Sequence, residues 1–288
     1  MFQQKSYRTT TTGTLYLVPT PIGNLEDMTL RSCNLLRECD FIASEDTRNT
    51  QKLLNHIDSH VPQISLHEHN YRERIPQLIA LLKEGKTIAQ VSDAGMPSIS
   101  DPGHELVLAC LAEELAVVAI PGPTAGLTAL IASGLLPQPH YFYGFLPRKK
   151  SKQLEELQKL ATQHATMIFY ESPYRIATTL ENMRTIYGDE RKVVICRELT
   201  KVHEEYLRGT IAELCQYLTD HALKGECCLL LSGCSQEIEE DRSEQSIEAS
   251  LEQINQMVAD GIKATAAIKE VAKQTGFSRQ QLYTAYHQ

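Results

Sequence analysis

The sequence predicts two α/β domains followed by a small helical module. Short apolar runs alternate with helical patterns through the first two thirds of the chain, which is typical of α/β proteins with a largely parallel sheet. The alternation restarts after a loop at residues 137–140 that contains two prolines, and beyond Ser235 the sequence becomes first acidic and then helical in pattern. The expected division is a flexible N-terminus at residues 1–13, α/β domains at 14–136 and 141–235, an acidic linker at 236–245 and a helical module at 246–288.

Composition excludes several classes of protein. The chain has 288 residues, of which 42% are hydrophobic and 22% are charged. These values are close to the average of folded globular proteins and exclude collagen-like, coiled-coil and disordered chains. A formal net charge of −8 argues against a protein that coats nucleic acid nonspecifically, because phosphate binding requires Lys and Arg. A local basic site remains compatible with this charge.

The start of the chain predicts a cytoplasmic protein without membrane contact. Residues 1–12 are polar and lack the apolar middle of a signal peptide, and no later stretch is long enough to span a bilayer. The eight cysteines include no Cys-x-x-Cys pair and mostly lie in apolar runs, as reduced buried thiols do. They indicate no metal site.

Eight runs rich in apolar or β-branched residues are predicted strands. In chain order they are Thr14–Val18, Phe41–Ser44, Thr87–Val91, Ala116–Ile120, Tyr141–Phe145, Thr166–Tyr170, Lys192–Arg197 and Glu226–Leu231. Helix starts are predicted where a proline occupies the first helical position, at which its missing N–H is not needed. They are Asp101-Pro102, Pro123-Thr124 and Ser172-Pro173, and the last of these helices is expected to end at Gly188.

The C-terminal module is predicted to contain three helices, at residues 247–260, 264–275 and 278–286. Residues 267–283 include Gly276 at the position of the turn in a helix-turn-helix. Contact with RNA and a purely structural role in packing are both open for this module.

Three loops that follow predicted strands indicate a cleft. Residues 19–27 carry two prolines where dinucleotide-binding loops have glycines, so this loop is either a different kind of ligand loop or a rigid turn. Residues 91–103 form a loop that is dense in small and rigid residues and longer than a connector needs. Residues 120–126 again join a strand to a helix. Because open α/β sheets bind ligands at the carboxyl ends of their strands, we expect these loops to line one cavity.

Five motifs resemble those of a known family. They are Pro19-Thr20-Pro21-Ile22-Gly23-Asn24-Leu25, Ser44-Glu45-Asp46-Thr47-Arg48, Ser92-Asp93-Ala94-Gly95-Met96-Pro97, Phe169-Tyr170-Glu171-Ser172-Pro173-Tyr174-Arg175 and Arg197-Glu198-Leu199-Thr200-Lys201. Their order and spacing resemble the tetrapyrrole-methylase-like class of S-adenosylmethionine-dependent methyltransferases and, within it, the 16S rRNA cytidine-2′-O-methyltransferase family of subtype I. The resemblance extends from Gly13 through the helical tail. The chain departs from it at Thr124, where serine is frequent, and at Cys227-Cys228, where aliphatic residues are usual.

The resemblance implies a fold, a cofactor and partners. It implies two α/β domains of the tetrapyrrole methylase type with S-adenosylmethionine in the cleft between them, a homodimer, and 16S rRNA or the assembled small ribosomal subunit as substrate, methylated on a cytidine ribose of the decoding region. Motif matching assigns the cofactor pocket to Pro21, Ile22, Asp93, Met96, Thr124, Ala125, Tyr170 and Leu229. Asp93 and Thr124 suit the polar ends of this cofactor, and apolar side chains suit its remainder. Asp93 is alternatively a turn residue that bonds its own loop, and Tyr170 the end of a core strand.

RNA binding and catalysis are assigned to two further sets of residues. Phosphate contacts are expected from basic residues on loops and at the domain junction, namely Arg31, Arg48, Arg148, Lys149 and Lys150. Solvated surface is the alternative for residues 148–150, and pairing with Asp46 is the alternative for Arg48. The ribose hydroxyl must lose a proton, and the candidates to accept it or to orient the ribose are Glu171, Glu198 and Lys201. An ordinary ion pair is the alternative for Glu198 and Lys201.

Two other functions compete with RNA methylation. A methyltransferase that acts on a tetrapyrrole or another small molecule would need neither a basic cluster nor a helical tail. A non-enzymatic helix-turn-helix protein that binds nucleic acid would leave the cleft loops without a role. Saturable stabilisation by S-adenosylmethionine would exclude the second of these functions.

Overall fold

The computed structural model describes residues 1–6, 11–99, 101–234, 247–275 and 277–287. The chain divides into two compact units, Met1–Gly233 and Cys234–Gln288. The predicted acidic linker lies outside the described residues, as do part of the predicted flexible N-terminus and Gly276. No helix within the described ranges is both long enough and apolar enough to cross a membrane.

The first unit begins with a five-stranded parallel sheet in the order β3-β2-β4-β1-β5. Its strands are β1 (Thr14–Leu17), β2 (Phe41–Ser44), β3 (Gln63–Ser65), β4 (Ile88–Val91) and β5 (Ala116–Ala119). The connecting helices are α1 (Leu30–Glu38), α2 (Thr47–His56), α3 (Tyr71–Lys83) and α4 (Gly103–Ala112), and α5 (Ala125–Ser133) follows β5. All four residues of β4 are buried, as expected for a central strand covered by helices on both faces.

A second five-stranded sheet has the order β6-β7-β10-β8-β9. Its strands are β6 (His140–Phe145), β7 (Thr166–Glu171), β8 (Lys192–Arg197), β9 (Glu205–Thr210) and β10 (Cys227–Leu231), and its helices are α6 (Lys150–Lys159), α7 (Ile176–Tyr187) and α8 (Ile211–Asp220). Only β6 and β7 are parallel, and the other three pairs are antiparallel. The prediction of a largely parallel sheet is therefore correct for the first sheet and wrong for the second, because a run of apolar residues does not encode strand direction.

Helix α5 packs against the second sheet, although it precedes the loop at residues 137–140 in the chain. Ala129 and Leu130 on this helix share a buried cluster with Ile168, Val194 and Leu230 of the second sheet. At Gly126 an added Cβ would lie 3.4 Å from both Ile168 and Phe142, so the helix lies close to this sheet. Helix α5 thus carries the loop after β5 from the first sheet onto the second.

Helices follow all three predicted prolines, but they begin one residue after Pro102, two after Pro123 and three after Pro173, so no proline occupies the first helical position. Asp101 accepts a hydrogen bond from the Gly103 amide at 2.8 Å, at the start of α4, and α5 begins directly after Thr124. Helix α7 begins at Ile176 rather than at Pro173, because residues 172–175 first form a turn. It ends at Gly188 with φ +81°, as predicted.

The second compact unit contains three helices, α9 (Ile247–Ala259), α10 (Ala264–Thr275) and α11 (Arg279–Tyr286). All three predicted helices are confirmed, and Ser278 caps α11 by accepting a hydrogen bond from the Gln281 amide. Their buried apolar side chains are Ile254, Ala267, Ile268, Val271 and Leu282.

Candidate active site

A cavity of about 840 Å³ lies in the first unit, at the carboxyl ends of β1, β2, β4 and β5 and beside β7 and β10. This volume falls within the roughly 300–1,000 Å³ that is usual for small-molecule sites. The three loops predicted to converge all contribute to it. Residues that line it are Ile22, Glu45, Ser92–Met96, Ile99, Asp101, Thr124, Ala125, Phe145, Leu146, Arg148, Tyr170–Arg175, Cys196, Leu199 and Glu226–Cys228.

Two of these loops are joined by backbone hydrogen bonds. Thr20 and Gly95 exchange two N–H···O bonds of 3.0 Å each, and the Thr20 hydroxyl donates to the Ser92 carbonyl at 3.1 Å. Gly95 has φ +76°, and an added Cβ would lie 3.2 Å from Ile22. Glycine is thus needed at this position, both for its backbone conformation and for the approach of Ile22.

Asp93 connects the loop after β4 to the start of α2. Its carboxylate accepts hydrogen bonds from the Asp46 amide at 3.1 Å and from the Asn49 side chain at 3.2 Å. The Asp93 amide in turn donates to the Glu45 carboxylate at 3.2 Å. The Asp93 carboxylate is therefore hydrogen-bonded to the neighbouring segment that begins α2, and not to its own turn. Partial burial raises the pKa of Glu45, since the charged form loses hydration.

Tyr170 holds the N-terminus of α5 against β7. Its phenolic oxygen accepts a hydrogen bond from the Gly126 amide at 3.2 Å, which satisfies one of the four amides that a helix leaves unpaired at its start. Its ring contacts Phe142 and Phe145 edge to face, with centroid distances of 5.1 and 5.5 Å. Burial raises the pKa of this phenol. Tyr170 is thus a wall of the cavity as well as the end of a core strand.

Three thiols lie in the floor of the cavity, on Cys196, Cys227 and Cys228. Burial raises the pKa of Cys196 to about 12 and that of Cys227 to about 11, and it also raises the pKa of Cys228. All three are therefore neutral thiols near pH 7 and serve as small apolar groups.

Glu198, Lys201 and Glu226 form a charged cluster at one side of the cavity. The Lys201 ammonium lies 2.9 Å from a Glu198 oxygen and 3.0 Å from a Glu226 oxygen. The hydrogen bond from Lys201 lowers the pKa of Glu198, and the Glu226 amide, which also donates to this carboxylate, lowers it further. Burial lowers the pKa of Lys201, but the bonds to both carboxylates outweigh burial and the net shift is upward.

The loop that carries Glu198 and Lys201 is strained. Glu198 and Thr200 have φ values of +52° and +68°, a region that residues with a Cβ rarely adopt. The Thr200 hydroxyl oxygen is buried and has no hydrogen-bond partner within the described part of the chain. Such strain is characteristic of functional sites.

Glu171 differs from the other predicted catalytic residues in its burial. Its side chain is 1% exposed, and its two oxygens accept hydrogen bonds from the Ser172 amide at 2.9 Å and the Thr179 hydroxyl at 2.7 Å. The Arg175 guanidinium lies 3.4 Å from the oxygen that Thr179 contacts.

Comparison with known proteins shows which family the chain belongs to. The model of the tetrapyrrole (corrin/porphyrin) methylases matches residues 14–215. A ribosomal RNA small subunit methyltransferase I from Streptococcus pyogenes serotype M1 is 54% identical over 285 residues, which cover 99% of this chain and 98% of the relative. The chain belongs to this methyltransferase family. The expected family and fold class are thereby confirmed.

Further comparisons agree with this membership. A protein of the same name from Bacillus subtilis strain 168 is 46% identical and covers 96% of the methyltransferase described here and 94% of its own length. A crystal structure of uroporphyrin-III C-methyltransferase from Thermus thermophilus, complexed with S-adenosyl homocysteine, superposes with a TM-score of 0.54 at 18% identity. It covers 76% of this chain and 97% of its own, and at this identity it supports the fold alone.

Six of the eight residues predicted to bind the cofactor line the cavity of the methyltransferase. They are Ile22, Asp93, Met96, Thr124, Ala125 and Tyr170. Pro21 lines a second, smaller pocket of about 250 Å³, which shares Ser92 and Asp93 with the cavity. Leu229 is fully buried in a core cluster together with Cys227 and lies two residues further along β10 than that residue, so it is not among the residues that line the cavity.

The residues predicted to bind RNA lie at three places on the first unit of the methyltransferase. Arg148, Lys149 and Lys150 form an exposed segment that leads from β6 into the first residue of α6, with Arg148 at the cavity, and Arg31 is exposed on α1. Arg48 donates two hydrogen bonds to Asp46, at 3.1 and 2.8 Å, and these bonds lower the pKa of Asp46 to about 2. The alternative predicted for Arg48, pairing with Asp46, is therefore present in the structure.

Sequence reasoning assigned no binding or catalytic role to several groups that line the cavity, among them Glu45, Asp101, Arg175 and Glu226. The first three lie within or beside the motifs quoted above, so position in a motif was an available signal. Glu226 had none. It approaches Lys201 only because β10 pairs antiparallel with β8, which brings distant parts of the chain together.

The residues of the cavity fit S-adenosylmethionine. Among the described lining residues there are five carboxylates and two guanidinium groups. This excess of negative charge suits a fixed sulfonium cation. Apolar walls formed by Ile22, Met96 and Ile99 suit the remainder of the molecule.

Proposed function

We propose that this methyltransferase transfers the methyl group of S-adenosylmethionine to the 2′-oxygen of a cytidine ribose in the decoding region of 16S rRNA. The observation that carries the proposal is the carboxylate-rich cavity formed by the family's own loop motifs. The relative from Streptococcus pyogenes, similar over nearly its whole length, is named for methylation of small-subunit ribosomal RNA. We take naked 16S rRNA or the assembled small subunit as the substrate.

The cofactor would occupy the part of the cavity that the first-sheet loops form. Ile22 and Met96 would enclose its apolar atoms, and Asp93 and Thr124 would accept hydrogen bonds from its polar ends. When bound, S-adenosylmethionine supplies an electrophilic methyl carbon on a positively charged sulfur. The hydrogen bonds between Thr20 and Gly95 hold these loops in place before binding, which reduces the entropy lost on binding.

The charged cluster of Glu198, Lys201 and Glu226 would receive the ribose. Glu226 lines the cavity and has a side chain that is 77% exposed, so its carboxylate is accessible to a ribose hydroxyl. It would accept the proton that the hydroxyl loses as the ribose oxygen bonds to the methyl carbon and the carbon–sulfur bond breaks. Lys201 keeps its proton because its pKa is raised, so it would orient Glu226 and stabilise a developing negative charge instead of acting as a base. Glu198, whose pKa is lowered, would hold Lys201 in position.

The exposed basic residues would bind the RNA backbone at the mouth of the cavity. Arg148 stands at the cavity itself, and Lys149 and Lys150 continue the segment. Arg31 and Arg48 are exposed on the first sheet's helices and would contact phosphates further along the RNA. Phosphate contacts of this kind position the RNA and make binding sensitive to salt.

We propose a homodimer formed through α5 and β6. Six large apolar side chains of this region are exposed, namely Leu127, Ile131, Leu136, Tyr141, Phe142 and Phe145. Strand β6 also forms one edge of its sheet, and such edges are usually covered. A cytoplasmic location is supported by the eight cysteines, six of them buried, which form no disulfide within the described part of the chain and suit a reducing compartment.

Variants of the charged cluster test the catalytic assignment. Lys201→Met and Glu226→Gln should each lower kcat by about 10²-fold or more while the Kd for S-adenosylmethionine changes little, because these groups act on the ribose. The measurement is methylation of small-subunit RNA with mapping of the product by mass spectrometry. Full turnover by both variants would remove these residues from catalysis, and a methyl group on a base would overturn the assignment of the 2′-oxygen.

A further inference from the structure

A continuous chain of buried hydrogen bonds leads from the cavity to helix α6. It begins at the Glu171 carboxylate, which accepts a hydrogen bond from the Thr179 hydroxyl at 2.7 Å. The Gln153 side chain on α6 donates to the same hydroxyl at 3.2 Å, and Asn182 donates to Gln153 at 2.5 Å. Glu171, Gln153, Thr179 and Asn182 are all less than 5% exposed. Buried polar groups that are fully bonded hold the elements that carry them in one arrangement.

The other end of this chain holds the loop after β6. Arg175, paired with Glu171, also donates from its guanidinium to the Pro147 carbonyl at 3.1 Å and to the Leu146 carbonyl at 3.5 Å. Pro147 directly precedes Arg148, and Gln153 follows Lys150 by three residues. The basic segment of residues 148–150 is therefore fixed immediately before it and shortly after it by the same set of bonds.

The cationic side chains of residues 148–150 are available to bind a ligand. Arg148, Lys149 and Lys150 are exposed, and no ion pair or hydrogen bond of their side chains occurs within the described residues. The Glu171 oxygens, in contrast, are occupied and almost inaccessible. A carboxylate in this state is poorly placed to accept a proton from a substrate but well placed to hold Arg175.

We infer that Glu171, Arg175, Thr179 and Gln153 are positioning residues that hold residues 148–150 in the conformation that binds the phosphate backbone of the RNA substrate. This inference rests on the proposed function for the identity of the substrate. Because these hydrogen bonds hold the segment in place before binding, no entropy is lost in ordering it when RNA binds. The bonds therefore lower the KM for RNA. The role that the motif suggested for Glu171, direct proton transfer, is replaced by an indirect one.

Thr179→Val is the primary test, because it removes the hydroxyl that joins Glu171 to Gln153 and nearly keeps the shape of the side chain. We expect the KM for RNA to rise about fivefold, the effect of losing a hydrogen bond worth about 1 kcal/mol. The kcat and the Kd for S-adenosylmethionine should stay within about twofold of the wild type. Thr185→Val is a matched control on the same helix, since that hydroxyl bonds only to the Glu181 carbonyl of α7.

A double-mutant cycle separates positioning from general loss of structure. In a protein that carries Arg148→Ala, Lys149→Ala and Lys150→Ala, the change Thr179→Val should add no further increase in KM, because the groups being positioned are gone. An increase of the same size in both backgrounds would overturn the inference. So would a fall in kcat with an unchanged KM.

The double variant Glu171→Gln/Arg175→Met removes both charges together and avoids leaving one buried charge unpaired. It should raise the KM for RNA at least as much as Thr179→Val. The dependence of RNA affinity on salt should also weaken, and the slope of log K against log salt should fall by about 0.7 for each single-strand phosphate that the protein no longer neutralises. An unchanged salt slope and an unchanged KM would overturn the inference.

Failure of the proposed function is distinguishable from failure of this inference. If the wild-type protein does not methylate ribose, the proposed function fails, and binding of a small-subunit RNA fragment by wild type and Thr179→Val still tests the positioning role. If the wild type methylates RNA and Thr179→Val matches Thr185→Val in KM and binding, the inference alone fails.

Discussion

The absence of a side chain at Gly23 leaves room for the side chain of Lys201. A Cβ at this position would come 2.6 Å from Cγ and 2.9 Å from Cε of Lys201, and 2.9 Å from the Thr200 hydroxyl oxygen. Separations below about 3 Å force a shift, and the flexible Lys201 side chain would yield first. Gly23 therefore sets the position of Lys201 between Glu198 and Glu226.

Gly23→Ala should displace the Lys201 ammonium and lower kcat on the order of ten- to hundredfold, since small misplacements of reacting groups have effects of this size. The measurement is kcat together with the Kd for S-adenosylmethionine, which should change much less. Adding Gly23→Ala to a protein that already carries Lys201→Met should have no further effect on kcat. Independent, additive losses would show that Gly23 acts through another contact.

Glu45 gives the cavity a dependence on pH. Its pKa lies above the ordinary value of 4.5 because burial disfavours the charged form. The native state therefore binds this proton more tightly than the unfolded state, so the associated stability is present below pH 4.5 and is lost as pH rises through the raised pKa. Glu45→Gln should raise the free energy of unfolding at about pH 7 and leave it nearly unchanged at about pH 4. Urea denaturation at both pH values measures this, and an equal effect at both would contradict it.

Among single elements, α5 shows how one helix connects the two sheets. Its N-terminal loop lines the cavity, its body packs on the second sheet, and its Gly126 amide donates to Tyr170 of β7. The loop, and with it Thr124 and Ala125, is therefore located by contacts that the second sheet supplies.

Tyr170→Phe should lower the free energy of unfolding by about 1 kcal/mol, because it leaves the Gly126 amide without its acceptor while keeping the ring contacts. It should also weaken binding of S-adenosylmethionine, since the loop of Thr124 loses its attachment. Urea denaturation and isothermal calorimetry measure the two effects. Tyr143→Phe is the control, because that hydroxyl bonds only to the partly exposed Glu156 side chain, away from the cavity. Equal effects of the two variants would contradict the role given to Tyr170.

The strands could be predicted from the sequence where a local pattern of residues determines them. All eight predicted strands form, each end within one residue of its predicted place, because dense apolar runs bounded by turn residues identify buried strands. Strands β3 and β9 were missed. Gln63–Ser65 is only three residues long, and Glu205–Thr210 has only intermediate or exposed residues, so neither has an apolar run. The antiparallel order of the second sheet depends on tertiary contacts that no local pattern encodes.

The site was predictable to the extent that the loop motifs form it. The loops after β1, β4 and β5, together with the end of β7, carry six of the residues predicted to bind the cofactor. Leu229 lies in the core and not at the cavity, although Cys227 on the same face of β10 reaches it, because how far along a strand a cavity extends depends on tertiary packing that no motif encodes. The buried state of Glu171 depends on α6 and α7, which lie elsewhere in the sequence.

At the scale of the whole molecule, the exposed apolar surface of α5 and β6 predicts how copies associate. Ile131, which is 81% exposed, should lie in the dimer interface. Ile131→Glu should therefore convert a dimer to a monomer, because burying an unpaired charge is unfavourable. Sedimentation velocity measures the change, and Leu108→Glu on α4, also at an exposed apolar residue, is the control that should remain dimeric. A dimer that survives Ile131→Glu places the interface elsewhere.

The protonation state of the three thiols in the floor of the cavity determines whether a bound sulfonium cofactor can methylate the protein itself. A sulfonium alkylates sulfur nucleophiles, and it reacts with thiolates far faster than with thiols. With their pKa values raised by burial, Cys196, Cys227 and Cys228 stay protonated beside the bound cofactor and escape self-alkylation. Prolonged incubation with S-adenosylmethionine should leave the intact mass of the protein unchanged near neutral pH. A gain of one methyl group on any of these cysteines would show that burial does not protect them.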